Sequence, residues 1–154
     1  MDVIRNNPAG YDGLAQLRAL LEAGNNPPIG RTMDFRLVEI EKGRALFEGT
    51  PSQEVLNPIG SVHGGYAATL LDSACGCATH SMLSPTQGYT TLELKVAYHR
   101  ALSPDSGTVR AEGKILSIGR RTAFAEARLT DATGRLCASA TSTLLVFDIP
   151  SAPA

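Results

Sequence analysis

The stretch His63–Thr79, which reads HGGYAATLLDSACGCAT, decides how this chain folds. Its residues are small or apolar on all sides at helical spacing, which is typical of a helix that is buried over most of its surface. We predict that this helix begins at Gly64 and continues to about Leu83. It is too short and too rich in small residues to cross a membrane. Asp72 is its only acidic or basic residue up to Thr79.

The segments on both sides of this helix have the two-residue period of β-strands. Before it, Phe35 and Leu37 alternate with polar residues, Lys42-Gly43 predicts a turn, and Phe47 lies on the returning strand. After Gly88, four long alternating segments follow, at 91–98, 108–115, 123–130 and 135–147. In the first of them Leu92, Leu94, Val96 and Tyr98 alternate with Thr91, Glu93, Lys95 and Ala97.

The order of these elements predicts the fold class. An alanine-rich sheet face can curl closely around a helix of small residues. The sequence therefore predicts an α+β fold, in which one antiparallel sheet is wrapped around a long central helix.

A further helix is predicted near the N-terminus. Asp12 is a typical N-cap, and Gly24 is a typical helix end. Between them four leucines fall on one face at helical spacing: Leu14, Leu17, Leu20 and Leu21. Residues 25–28, Asn-Asn-Pro-Pro, predict a loop. We divide the chain into an arm and helix at 1–30, the main domain at 31–148 and a tail at 149–154.

Composition excludes several classes of protein. With 43% hydrophobic and 19% charged residues, the chain is neither disordered nor fibrous. Its 14 Lys and Arg against 15 Asp and Glu give a net charge of −1, without the basic excess that nucleic-acid binders show. No apolar run is long enough to span a membrane. Three cysteines make no disulfide framework, and the first residues do not resemble a signal peptide, so we expect a cytoplasmic protein.

The central helix carries the candidate chemistry. A carboxylate on a buried helix costs several kcal/mol unless it is paired or placed at a site. Asp72 is therefore either a structural acid with its own partners or a general base or nucleophile. Gly64-Gly65 is either a plain loop-to-helix junction or a place where a ligand approaches the unpaired N–H groups of the first turn, as an oxyanion hole requires. Eight residues, or about 12 Å of helix, separate Gly64 from Asp72.

Other polar residues have two interpretations each. His63 could orient the loop or polarise a substrate, and Asn57 could donate to a carbonyl or simply form a turn. Arg120-Arg121 is either a solvated turn or a phosphate contact.

The remaining histidines and the cysteines are not expected to carry chemistry. We expect His80 and His99 on the surface and Cys137 in the core. Cys75 and Cys77 are two apart on a helix, point to different sides and predict no metal site.

Two segments resemble a known family. Residues 57–65, NPIGSVHGG, followed by Leu70-Leu71-Asp72, are similar to the hotdog-fold acyl-CoA thioesterases of the phenylacetic-acid-degradation type. Residues 119–127, GRRTAFAEA, fit the same family. The similarity covers roughly residues 30–148. It implies a five- or six-stranded sheet around the central helix, homodimers with a continuous sheet that often pair into homotetramers, and hydrolysis of acyl-CoA without a cofactor.

The resemblance also implies roles for individual residues. It makes Asp72 the nucleophile or the general base for water, and it makes the Gly64 N–H the donor to the thioester carbonyl, assisted by Asn57. It implies that a strand hydroxyl positions water, with Thr91 as the best match and Thr90 as the alternative. His63 completes the predicted catalytic set, and substrate and CoA contacts are assigned to Gly65, Thr90, Arg120, Arg121 and Thr122.

Because of the distance between Gly64 and Asp72, we expect a site that is shared between two chains.

Two other functions stay open. One is a hydratase or dehydratase acting on enoyl or hydroxyacyl thioesters, which would rely on His63 paired with an acid. The other is an acyl-CoA-binding protein without catalysis.

Overall fold

The computed structural model describes residue 7 and residues 10–149. Its elements, in chain order, are the helices and strands α1 (Gly13–Glu22), α2 (Pro28–Thr32), β1 (Phe35–Glu41), β2 (Arg44–Gly49), α3 (Gly64–His80), β3 (Gln87–Tyr98), β4 (Val109–Ile118), β5 (Thr122–Thr130) and β6 (Leu136–Asp148). Short 3-10 turns lie at Gln53–Val55 and Pro104–Ser106.

The six strands form one sheet in the order β1-β2-β4-β5-β6-β3, and every neighbouring pair is antiparallel. α3 contacts all six strands, so the predicted α+β fold with a sheet wrapped around one central helix is confirmed. β1 and β3 lie at the two edges of the sheet. Within the described part of the chain, no helix has the length and hydropathy that a membrane span requires.

Small side chains allow the sheet to approach α3 closely. Leu70, Leu71 and Ala74 on α3 are completely buried, and β5 faces the helix with buried alanines at 123, 125 and 127. Gly113 on β4 lies directly against the helix backbone, because a Cβ at this position would overlap the Ala74 carbonyl. The prediction that small residues line both surfaces is therefore confirmed by their packing.

The N-terminal helix is confirmed as α1. Asp12 accepts a hydrogen bond from the Ala15 N–H at 2.8 Å, and Gly24, at φ +63°, follows the helix end. The predicted loop at residues 25–28 is wrong in its last residue, because Pro28 begins the short helix α2. Proline is favoured at the first position of a helix, where its missing N–H costs nothing. The proposed boundary at residue 30 falls inside α2.

The C-terminal end of α3 differs from the prediction. The helix ends at His80, and the surface position expected for His80 is wrong, since its side chain is only 5% exposed. His80 Nε2 lies 2.8 Å from Gln16 Oε1 on α1, and burial lowers the pKa of the imidazole. His99 is exposed and Cys137 is buried, as expected. The predicted tail and most of the N-terminal arm lie outside the described residues.

A β-bulge changes the face on which one strand residue lies. The register between β3 and β6 shifts between Thr91 and Glu93, so that Leu92 has no partner on β6. Thr91 is opposite the buried Leu144, whereas Glu93 is opposite Thr143. The alternation predicted from sequence is therefore interrupted at Leu92, and Thr91 faces α3 while Glu93 faces away from it.

Candidate active site

The first turn of α3 presents one free backbone donor. His63 is the N-cap in extended conformation, and its Nδ1 accepts a hydrogen bond from the Gly65 N–H at 2.8 Å. The Tyr66 N–H donates to the His63 carbonyl at 3.0 Å. Among the described residues, the Gly64 N–H has no acceptor. Of the two predicted glycines, Gly64 therefore has an available donor, and the donor of Gly65 is occupied.

This free N–H lies at a groove of about 490 Å³. The groove runs between the start of α3 and the end of β3. Gly64 and Gly65 line it, and its polar side chains are Ser61, His63, Tyr98, His99 and Arg100. The Tyr98 hydroxyl donates a hydrogen bond to the Gly64 carbonyl at 2.9 Å. The predictions from sequence missed Tyr98, because it was assigned only as an alternating strand residue. Gly64, which carries the free donor, thus lines a space that a small acyl group can enter.

Asp72 lies two turns further along α3. Its Oδ1 accepts a hydrogen bond from Thr91 Oγ1 at 2.9 Å, and the side chain is half-buried. In the part of the chain that the structure describes, Asp72 forms no ion pair. The partner that the structure gives to Asp72 is therefore a hydroxyl group and not a cation. Of the two predicted strand hydroxyls, Thr91 bonds to Asp72, whereas Thr90 is exposed and pairs with Leu145 on the outer face.

The other reactive groups near Asp72 are kept protonated. Burial, with the Asp72 carboxylate nearby, raises the pKa of the Cys75 thiol and of the Cys77 thiol to about 12. Burial likewise raises the pKa of the Tyr89 hydroxyl. A thiol acts as a nucleophile in its thiolate form, so neither cysteine is suited to attack a carbonyl at neutral pH. Asp72 is the group on this face of α3 that can accept a proton or attack.

Asn57 has the role of a turn residue in this structure. Its Oδ1 accepts hydrogen bonds from the backbone N–H groups of Ile59 and Ser61, and its Nδ2 donates to Ser61 Oγ at 2.8 Å. These bonds fix the loop that leads into α3. Asn57 does not line the groove at Gly64.

The arginine pair lies at a different place on the sheet. Arg120 and Arg121 are exposed in the turn between β4 and β5, beside a groove of about 370 Å³ that Asp148 also lines. Thr122 opens β5 and is opposite Leu145, the residue that pairs with Thr90. The pair is therefore near the end of the sheet where Asp72 meets β3, far along the strands from the groove at Gly64.

Two further features of the described residues bear on ligand binding. They contain no cluster of three His, Cys, Asp or Glu side chains that could hold a metal ion. A groove of about 770 Å³, larger than the one at Gly64, lies between α1 and β1 and touches neither Gly64 nor Asp72. The volume of a groove therefore does not identify the candidate site. The site is identified by the positions of the Gly64 donor and the Asp72 carboxylate.

Comparisons with known proteins identify the family of this chain. Residues 59–138 match the model of the Thioesterase superfamily. The chain is 30% identical over 115 residues to the 1,4-dihydroxy-2-naphthoyl-CoA hydrolase of Listeria monocytogenes serotype 1/2a, covering 75% of this chain and 92% of that protein. It is 34% identical over 128 residues to the proofreading thioesterase EntH of Klebsiella pneumoniae, covering 80% and 92%. The E. coli PaaI protein from the phenylacetic acid degradation operon has a TM-score of 0.77 at 17% identity, covering 92% and 99%.

The chain belongs to the thioesterase superfamily, because the matched region spans more than half of it and includes all of α3. It is a hotdog-fold enzyme that hydrolyses thioesters. The likeness to PaaI supports the fold, and the resemblance to that particular subfamily stays a prediction.

Thr91→Val tests the bond between β3 and Asp72. The substitution keeps the shape of the side chain and removes the hydroxyl, so we expect kcat for thioester hydrolysis to fall by about tenfold or more, the scale of one hydrogen bond to a charged group. Thr91→Ser should restore most of the activity. Thr90→Val, one residue away on the opposite face, is the matched control and should keep wild-type kcat. Equal losses in the two valine variants would contradict the assignment.

Proposed function

We propose that this protein is an acyl-CoA thioesterase, which converts an acyl-CoA and water to a free acid and coenzyme A. The observation that carries the proposal is the free Gly64 N–H at the start of α3, together with the Asp72 carboxylate two turns along the same helix. A donor with no acceptor at a helix N-terminus suits the negative charge that develops on the thioester oxygen. A carboxylate without a cationic partner suits the attack on the carbonyl carbon.

The steps of the reaction can be assigned to named groups. The thioester oxygen accepts a hydrogen bond from the Gly64 N–H, and this bond polarises the carbonyl. Asp72 drives the attack, either by adding to the carbonyl carbon itself or by taking a proton from a water molecule that adds. Thr91, bonded to Asp72 Oδ1, holds the carboxylate in place. In the general-base route the C–S bond breaks and the leaving sulfur takes the proton that Asp72 accepted from water. In the nucleophilic route the sulfur leaves as a thiolate that takes a proton from solvent, and water then hydrolyses the anhydride formed on Asp72 to release the acid. No cofactor is part of this proposal.

One chain does not bring the two groups together, since about 12 Å of helix separates them. β3 offers a way for two chains to do so. It is an edge strand whose Thr91 bonds to Asp72 and whose Tyr98 bonds to Gly64. Antiparallel pairing of β3 with β3 of a second copy, about a two-fold axis between these residues, places the Asp72 region of one chain beside the Gly64 region of the other.

The exposed edge of β3 supports this proposed homodimer. Leu92 is 61% exposed on this strand, although it is apolar. An unpaired edge with exposed apolar residues favours pairing with another strand.

We extend the proposal to a homotetramer, formed by two such dimers, and to a cytoplasmic location, where three unpaired thiols stay reduced.

The arginine pair is proposed to bind the phosphates of coenzyme A. Arg120 and Arg121 lie at the Asp72 end of the sheet, so in the shared site they come from the same chain as Asp72. The net charge of −1 gives no general attraction for an anionic substrate, and a local pair of guanidinium groups supplies one. The resemblance to the phenylacetic-acid-degradation type makes aryl thioesters the first acyl-CoA substrates to assay.

The function is tested by Asp72→Asn on a thioester panel. Wild-type protein should release free thiol from aryl, short-chain or medium-chain acyl-CoA, and Asp72→Asn should lower kcat by about 10²- to 10⁴-fold, the scale of a missing general base. Asp105→Asn makes the same chemical change on an exposed turn and is the matched control. The panel includes an enoyl-CoA, for which CoA release and hydration are both measured. This substrate distinguishes a thioesterase from a hydratase. Hydration without thiol release would contradict the proposal, and so would binding without either reaction.

Mixed dimers test the shared site. Gly64→Pro removes the donor at the first helical position, where the extended His63 before it is compatible with proline and the exposed Tyr98 ring has to shift away from the new Cβ. Neither this variant nor Asp72→Ala should be active alone. Heterodimers of the two, isolated with two affinity tags, should regain about half the wild-type kcat, because one of two sites is complete. Heterodimers of Asp72→Ala with Asp72→Asn are the control and should stay inactive. Inactive mixed dimers that have demonstrably formed would refute a shared site.

Arg120→Ala/Arg121→Ala should raise KM for acyl-CoA much more than it lowers kcat. The phosphates are remote from the thioester, so their contacts are equal in the ground state and the transition state. The effect should shrink at high salt, because exposed charges are screened beyond about 8–10 Å. Arg18→Ala/Arg128→Ala removes the same charge from exposed positions on α1 and β5 and should leave KM unchanged. Equal KM values for the two double variants would exclude a phosphate contact.

A further inference from the structure

The peptide group between Gly64 and Gly65 is held from both sides. Its carbonyl accepts the Tyr98 hydroxyl at 2.9 Å, and its N–H donates to His63 Nδ1 at 2.8 Å. A peptide group is planar and rigid, so two bonds at its opposite edges fix the orientation of the whole plane. The free N–H of Gly64 belongs to the preceding peptide group, which is joined to this plane through the Gly64 Cα. Fixing the plane therefore limits the directions in which that N–H can point.

Such a restraint matters more at a glycine than at any other residue. Glycine has the widest range of backbone conformations and loses the most freedom on ordering. The first residue of a helix also makes no intrahelical bond through its N–H. Without outside partners, the donor of Gly64 would be poorly aimed.

The ring of Tyr98 adds a steric restraint to the hydrogen bond. A Cβ on Gly64 would lie 3.1 Å from both Cζ and Oη of Tyr98, closer than ordinary contact. The ring thus lies flush against the Gly64 backbone. Tyr98 is nevertheless 56% exposed, so the interior of the protein does not require it. The hydrogen bond and the ring contact both join Tyr98 to Gly64.

We propose that Tyr98 is a positioning residue, which clamps the Gly64–Gly65 peptide together with His63 and aims the Gly64 N–H into the groove. The proposal rests on the proposed function, in which this N–H stabilises the thioester oxygen. A hydrogen-bond donor lowers the barrier only when it is already directed at the place where charge develops. Tyr98 donates its own proton to Gly64, so it acts through Gly64 rather than on the substrate.

This role predicts a particular kinetic signature. Charge on the thioester oxygen develops in the transition state, so a misdirected donor lowers kcat and leaves substrate binding nearly unchanged. A tyrosine that merely lined the groove would change KM instead. A tyrosine that merely stabilised the fold would change the unfolding temperature.

Tyr98→Phe tests the clamp, because it removes the hydroxyl and keeps the ring. We expect kcat to fall about threefold to tenfold, the scale of one neutral hydrogen bond, with KM within about twofold and an unchanged unfolding temperature. Tyr11→Phe, on a tyrosine of similar exposure before α1, is the matched control and should have wild-type kinetics. Hydrogen exchange of the Gly65 amide, followed by NMR, should speed up by about tenfold in Tyr98→Phe, because the clamped peptide opens more often.

The amide readout separates failure of the clamp from failure of the proposed function. If wild-type protein hydrolyses no thioester, the proposed function fails, and Gly65 exchange alone decides whether Tyr98 holds the peptide. Unchanged Gly65 exchange in Tyr98→Phe would overturn the clamp, whatever the kinetics. With an active wild type, an unchanged kcat or a loss confined to KM would equally overturn it.

Discussion

The enclosure of α3 by the sheet is the constraint on which the rest of this structure depends. A helix that contacts six strands has almost no face left for long side chains, and Gly113 shows how closely one strand approaches it. Polar groups on such a helix need partners within the fold. Asp72 has Thr91, and His80 has Gln16. The exception in the described part is Tyr66, whose buried hydroxyl has no hydrogen-bond partner, and burial raises its pKa.

β3 links the two chemically important positions of α3. The strand runs beside the helix and bonds to Asp72 through Thr91 and to Gly64 through Tyr98. It is also an edge of the sheet, with a free side for a second chain. The strand that positions the acid and the donor is therefore the strand through which a partner would supply the missing half of the site. In this arrangement, assembly and catalysis depend on the same element.

The surroundings of α3 also restrict which groups can react. Burial keeps the thiols of Cys75 and Cys77 protonated, and the His63 imidazole accepts a backbone N–H through Nδ1. Hydrolysis of a thioester needs an attacking group and a stabilised oxyanion, and it needs no metal or redox group. In the proposed function, Asp72 and the Gly64 N–H meet these two needs.

Local signals in the sequence establish the class of fold and single out Asp72 and Gly64 as candidates for the site. The run of small residues from Gly64 to Thr79 fixes a buried helix, the alternating segments fix the sheet, and Asp72 stands out because a carboxylate is costly there. These signals are local, so periodicity and composition are enough to read them. His80 was misplaced, because burial at the end of a helix depends on α1, which is distant in sequence.

Only the tertiary structure decided how the site residues are arranged. A bulge at Leu92 turns Thr91 towards Asp72, and strict alternation cannot reveal it, because a bulge is set by the register with β6. Tyr98 bonds to Gly64 across 34 residues, and the Gly65 N–H is taken by His63, so that Gly64 is the one of the two glycines that keeps a free donor. Hydrogen bonds between distant segments form when the chain is packed, and a pattern along the sequence holds no record of them.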